Sequence, residues 1–138
     1  MVYILERLAV GNARDGAAPH IDIPYVLCVA EELTPPVFPE LETHCVPVVD
    51  LQPIPPFQLE EAVRWIAGHI PKGKVLVHCN AGLGRSPSVV IAYLYCYEDF
   101  NFEKAVEFVA ERKPDISPLP DLFLSCQEVK RRLASSGS

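Results

Sequence analysis

A cysteine and an arginine enclose five uncharged residues in Cys79-Asn80-Ala81-Gly82-Leu83-Gly84-Arg85, and Ser86 follows at once. Those residue types at that spacing suit binding of a phosphate dianion and attack upon it. An oxygen-rich anion needs many convergent donors, which a tight loop entering a helix supplies through its backbone N–H groups and the positive end of the helix dipole. Arg85 adds a planar fork able to hold two oxygens at once. The same field favours the thiolate form of Cys79 over the thiol. A free cysteine is often no more than a small buried hydrophobe. The two glycines, the hydroxyl and the strand-loop-helix setting argue against that plain reading here. Asn80, Ala81, Gly82, Leu83, Gly84, Arg85 and Ser86 are thus the expected phosphate-binding residues, and Cys79 the expected nucleophile.

The elements that must hold this loop can be read from the chain on either side. Val75 to His78 is an apolar run leading into it, and Ser86-Pro87 opens a helix through Leu94, with proline in the first turn where its missing N–H costs nothing. That helix is apolar nearly all round, which predicts a central, buried position. Val2 to Val10, ending in Gly11-Asn12, suits one or two short strands. Ile23 to Ala30 and Cys45 to Val49 read as interior strands, joined through the proline-rich segment 34–39. Asp15-Gly16 and Pro19 read as an interruption. Leu59, Val63, Ile66 and Ile70 share one helical face, closed by Lys72-Gly73, and further amphipathic helices are predicted over Phe102 to Arg112 and about Pro120 to Leu133. Strands alternating with helices describe an α/β domain, with a central, mostly parallel sheet of about four or five strands flanked by helices. The loop at Cys79 then lies at the carboxyl end of a strand, where open α/β sheets bind ligands.

The 138 residues are expected to form one domain over 1–134, with a disordered tail at 135–138. No apolar run approaches the roughly 18 residues of a membrane span, and the amino terminus lacks a signal-peptide pattern, so a soluble, cytoplasmic monomer is the expectation. The formal net charge of -6 gives no overall attraction to nucleic acid or to an anionic membrane. Lys130-Arg131-Arg132 is the nearest approach to a basic cluster and suits a helix C-terminus. The five cysteines are scattered and never paired as CxxC, which argues against a disulfide framework or a zinc site. Trp65 and the tyrosines Tyr93, Tyr95 and Tyr97 read as packing residues.

His78-Cys79-x5-Arg85-Ser86 resembles the signature of cysteine-dependent protein phosphatases, and Arg85 to Leu94 is similar to their small (atypical) dual-specificity branch. Gly11 to Asp15, Val26 to Glu31 and Val46 to Asp50 resemble further segments of that family in the same order. The resemblance implies a protein tyrosine phosphatase-like fold and a two-step phosphoryl transfer. Cys79 would form a cysteinyl-phosphate, Asp50 would protonate the leaving oxygen and then activate water, and Arg85 with the loop amides would stabilise the equatorial oxygens. Ser86 would donate to the Cys79 sulfur. His78 would support the loop instead of transferring protons. No metal or other cofactor is implied. Cys28 or Cys45 is a candidate redox partner for Cys79, as in some related phosphatases, although burial alone explains either. The implied partner is a phosphorylated protein.

Asp50 is the one aspartate between Asp22 and Asp99, and it stands before the stiff Pro53-Ile54-Pro55-Pro56. Aspartates after strands also serve as caps and turn formers. The loop between Cys79 and Arg85 carries no lysine, which disfavours phosphoinositides. Its Ala-Gly-Leu-Gly-Arg portion resembles the phosphatase of regenerating liver and archaeal relatives, with Ser86 in place of the former's alanine. Ser117-Pro118-Leu119-Pro120 lacks an asparagine common in the family. Two other readings stand beside a protein phosphatase: the same chemistry on a non-protein ester (RNA 5′ end, phosphoglycan or lipid), and a catalytically silent phospho-binding module.

Overall fold

The computed structural model describes residues 1–18 and 20–136. Five strands form one sheet in the order β1-β2-β5-β3-β4: β1 (Val2–Leu5), β2 (Leu8–Gly11), β3 (Tyr25–Cys28), β4 (Glu42–Cys45) and β5 (Val75–His78). Only the β1–β2 pair is antiparallel. The helices are α1 (Ala13–Ala17), α2 (Pro56–His69), α3 (Arg85–Tyr97), α4 (Phe102–Arg112) and α5 (Leu122–Ser135). A mostly parallel sheet flanked by helices is what the alternation of patterns predicts. No helix among the described residues is long and apolar enough to cross a membrane.

Strand β5 occupies the centre, Val77 standing in register with Val10 on one side and Leu27 on the other. Leu8, Val10, Leu27, Val75 and Val77 belong to the main core with Leu59, Val63 and Ile66 of α2, and with α3, whose residues from Arg85 to Leu94 are all buried. That burial on every side matches its all-round apolar sequence. Ala9, Val26 and Leu76 form a smaller cluster with Ile23. Alternation along the strands separates the two sets.

Four differences from the sequence reading have local causes. The outer strand is Glu42–Cys45, not Cys45 to Val49, and it is an edge strand with half-exposed residues. Val46 still donates to Cys28, but Pro47 has no N–H to continue a ladder. The interior strand is shorter than Ile23 to Ala30, beginning at Tyr25 after Pro24. Helix α1 occupies the segment read as an interruption, because Asn12 and Asp15 form a reciprocal capping box that starts it. Helix α5 reaches Ser135, so the expected tail is helical at its first residue, and residues 137–138 lie outside the described residues.

Candidate active site

After His78 the chain turns sharply and enters α3 at Arg85, with Gly82 at φ 78°, a conformation that glycine adopts without a Cβ penalty. The turn is fastened on several sides. Ala13 N–H donates to the Asn80 carbonyl (2.9 Å), Ser117 N–H to the Leu83 carbonyl (2.7 Å), and Cys79 N–H to the Gly11 carbonyl (3.4 Å). Leu119 N–H donates to the Ser88 hydroxyl (3.0 Å), tying the 117–119 segment to α3. With the loop's carbonyls engaged outward, the amides from Asn80 to Gly84 donate to no backbone carbonyl among the described residues. Helix α3 has no side-chain cap and no acidic residue in its first turn. The result is a cradle of free donors at a helix N-terminus.

Cys79 is 2% exposed, and its Sγ lies 3.2 Å from the Ser86 hydroxyl, which also reaches the Gly11 carbonyl at 3.3 Å. A hydroxyl has a single proton, so it can be given either to the Gly11 carbonyl or to the Cys79 sulfur. The Arg85 guanidinium, 3% exposed, is held by Glu32 through two 2.6 Å hydrogen bonds, from Nη1 and Nη2, and donates from Nη1 to the Val48 carbonyl (3.1 Å). Counting five N–H bonds on the guanidinium, the edge formed by Nε and the remaining Nη2 hydrogen is left over. That edge is the bidentate one a phosphate would take. Asp50 Oδ1 stands 3.7 Å from Nε, beyond hydrogen-bond length. The same pairing with Arg85 holds the Glu32 carboxyl well below its ordinary range, at about 2.

Asp50 is half exposed on the loop after Val49, and it lines an open cavity of about 250 Å³ with Leu51, Cys79, Leu83, Arg85, Ser117 and Leu119. His78 is buried, its Nδ1 3.4 Å from the Cys79 carbonyl and its Nε2 without a partner among the described residues. Burial pushes its pKa down, favouring the neutral imidazole. Its ring lies against Gly16, where any Cβ would come within 2.3 Å of it.

The structure therefore brings Cys79, Arg85 and Asp50 to one cavity, with Ser86 buried against the Cys79 sulfur and His78 buried next to it in the chain. It does not join Cys28 or Cys45 to Cys79. Cys28 stands in register with His78 and with Cys45, and its Sγ approaches the Ala30 carbonyl at 3.9 Å. Burial pushes the Cys28 thiol up to about 11, which leaves it a poor attacking group. Sequence reasoning missed Glu32 altogether. The available signal was an acidic pair, Glu31-Glu32, just beyond the end of a strand, but nothing local couples it to an arginine 53 positions away.

Three comparisons bear on this geometry. A family model described as "Dual specificity phosphatase, catalytic domain" matches residues 12–131. The chain is 34% identical to human Dual specificity protein phosphatase 16 over 146 residues, covering 97% of this chain but only 22% of that protein. It is 32% identical to Dual specificity protein phosphatase 1B of Arabidopsis thaliana over 114 residues, covering 81% of the chain and 68% of that protein. The crystal structure of human DUSP28 superposes with a TM-score of 0.84 at 23% identity over 99% of both chains, a likeness of fold.

Proposed function

The chain belongs to the dual-specificity phosphatase family, and on that premise we propose that it hydrolyses phosphotyrosine, and phosphoserine or phosphothreonine, in proteins through a cysteinyl-phosphate. The observation that carries this reading is that Cys79, Arg85 and Asp50, from two separate loops, line one cavity. In the first step Cys79, as the thiolate, attacks phosphorus in line. The S–P bond forms as the bond to the leaving oxygen breaks, and that oxygen takes the proton of Asp50. In the second step water attacks phosphorus and gives a proton to Asp50. The S–P bond breaks, and the departing thiolate accepts a hydrogen bond from the Ser86 hydroxyl. The free edge of Arg85 and the loop amides hold the equatorial oxygens, where charge spreads in the transition state.

The cavity offers one cation, Arg85, already paired with Glu32, and no lysine. Such a mouth favours a single phosphate monoester over polyphosphorylated lipids or RNA ends. Turnover of a small aryl phosphate in chelator-treated buffer is the first assay, with phosphopeptides screened beside RNA 5′ phosphates and lipid phosphates. Cys79→Ser is expected to abolish turnover, and activity that survives it overturns the mechanism. Asp50→Ala is expected to slow turnover by about 10²–10³-fold for an alkyl ester and far less for an activated aryl ester that needs no proton. Equal losses on both would move the acid role elsewhere.

A further inference from the structure

Three residues other than glycine have a left-handed backbone among those described: Asp99, Asp121 and Leu51 at φ 61°. Aspartate tolerates that region because its short side chain bonds locally, whereas leucine gains nothing there and meets its own Cβ clash. Leu51 is also 79% exposed, so no packing of its side chain repays the strain. Its N–H donates to Asp50 Oδ1 at 3.0 Å, a contact any residue would make. Glycine or asparagine would satisfy this turn better. The side chain itself is what remains to be explained. Leu51 lines the cavity of Cys79 and Arg85, as do Leu83, itself 37% exposed, and Leu119.

We propose that Leu51 is a specificity-determining residue that covers the ring of an aromatic phosphate ester and makes phosphotyrosine the preferred substrate. The inference rests on the phosphatase reading above. When phosphate occupies the cradle beside Cys79, a tyrosine ring would extend outward past the lining leucines, of which Leu51 and Leu83 are exposed. A phosphoserine side chain is one carbon long and carries no apolar surface to that level. Asp50, the one carboxylate lining the cavity, offers no apolar surface by which to tell the two esters apart, whereas Leu51 and Leu83 do. Strain held at a substrate-facing position, with no gain to the fold, is the pattern expected of a site kept for function.

The test compares kcat/KM for a phosphotyrosine peptide and a phosphoserine peptide of identical flanks in the wild type, Leu51→Asn and Leu51→Gly. Both replacements keep the backbone N–H to Asp50 and suit the left-handed turn, so folding is not at risk, and their melting temperatures are expected to equal or exceed the wild type's. The phosphotyrosine-to-phosphoserine ratio is expected to fall about tenfold in both, chiefly through KM for the phosphotyrosine peptide. A ratio within twofold of wild type overturns the proposal. So does a changed pH profile with an unchanged ratio, which would mean that Leu51 acts through Asp50, and so does faster turnover of monododecyl phosphate than of the phosphotyrosine peptide. A wild-type enzyme inert on every phosphate ester tried defeats the phosphatase reading itself, a result distinct from the others.

Discussion

Glu32 sets the direction in which Arg85 can act. Two short hydrogen bonds and the Val48 carbonyl occupy the far edge of the guanidinium and leave one bidentate edge free. Glu32→Gln retains one acceptor but turns an NH2 group toward a cation, so the fork loses its fixed orientation. About a tenfold to hundredfold loss in kcat/KM is expected, because a misplaced positioning group degrades every later step. Inhibition by orthovanadate, which reads oxyanion binding without turnover, should weaken in parallel, and undiminished vanadate affinity would remove Glu32 from this role. At this scale the spacing and residue types pointed to Cys79, Arg85 and Ser86, and the family resemblance to Asp50; Cys79, Arg85 and Asp50 line one cavity, and Ser86 is buried against the Cys79 sulfur. Glu32 and the strain at Leu51 carry no such local mark. The first exists only as a pairing across 53 residues, the second only as a backbone angle.

One short element does more for the site than its length suggests. Helix α1 starts on the Asn12–Asp15 capping box, sends the Ala13 N–H to the loop at Asn80, and presents Gly16 to the ring of His78. Replacing Gly16 with alanine would gain up to about 1 kcal/mol of helix propensity. The new Cβ, however, would stand 2.3 Å from the buried imidazole, and relieving such overpacking costs about 1–3 kcal/mol. The clash wins, so Gly16→Ala should lower the melting temperature and reduce activity together, since His78 adjoins Cys79. A melting temperature at or above wild type would show that α1 is free to move away. The five-residue length of α1 and the Asp-Gly within it hid this helix from periodicity, which needs several turns to register. The edge strand β4 was misplaced for a similar reason. Val46 and Val48 are buried and look like strand interior, yet the ladder ends before Pro47.

For the molecule as a whole, titration defines a window of stability. His78 is buried with its pKa lowered from 6.5, so below that pH the unfolded chain binds a proton the folded chain refuses, and stability falls. Glu32, depressed from 4.5 to about 2, adds stability that is complete above 4.5 and lost as pH drops toward 2, a modest share because its carboxylate is part exposed. Cys28, raised from 9.0 to about 11, acts at the other end: the unfolded thiol ionises first, and stability declines as pH rises through that interval. The urea midpoint is therefore expected to be flat between about pH 6.5 and 9 and to fall on both sides. A midpoint that keeps rising from pH 6.5 toward 5 would contradict the buried neutral imidazole. The α/β alternation, the buried α3 and a glycine-bearing Cys79–Arg85 loop at a strand end were legible in the chain alone. Each rests on periodicity or on spacing within a few residues. The tertiary structure alone decided which strands flank that loop. Inserting β5 between β2 and β3 sets the ends of these strands side by side, so that the Gly11 carbonyl, Glu32 and the Val48 carbonyl meet Ser86 and Arg85. Those contacts depend on strand order, which hydrophobic patterning does not encode because it records which face a residue takes and not which neighbour it meets.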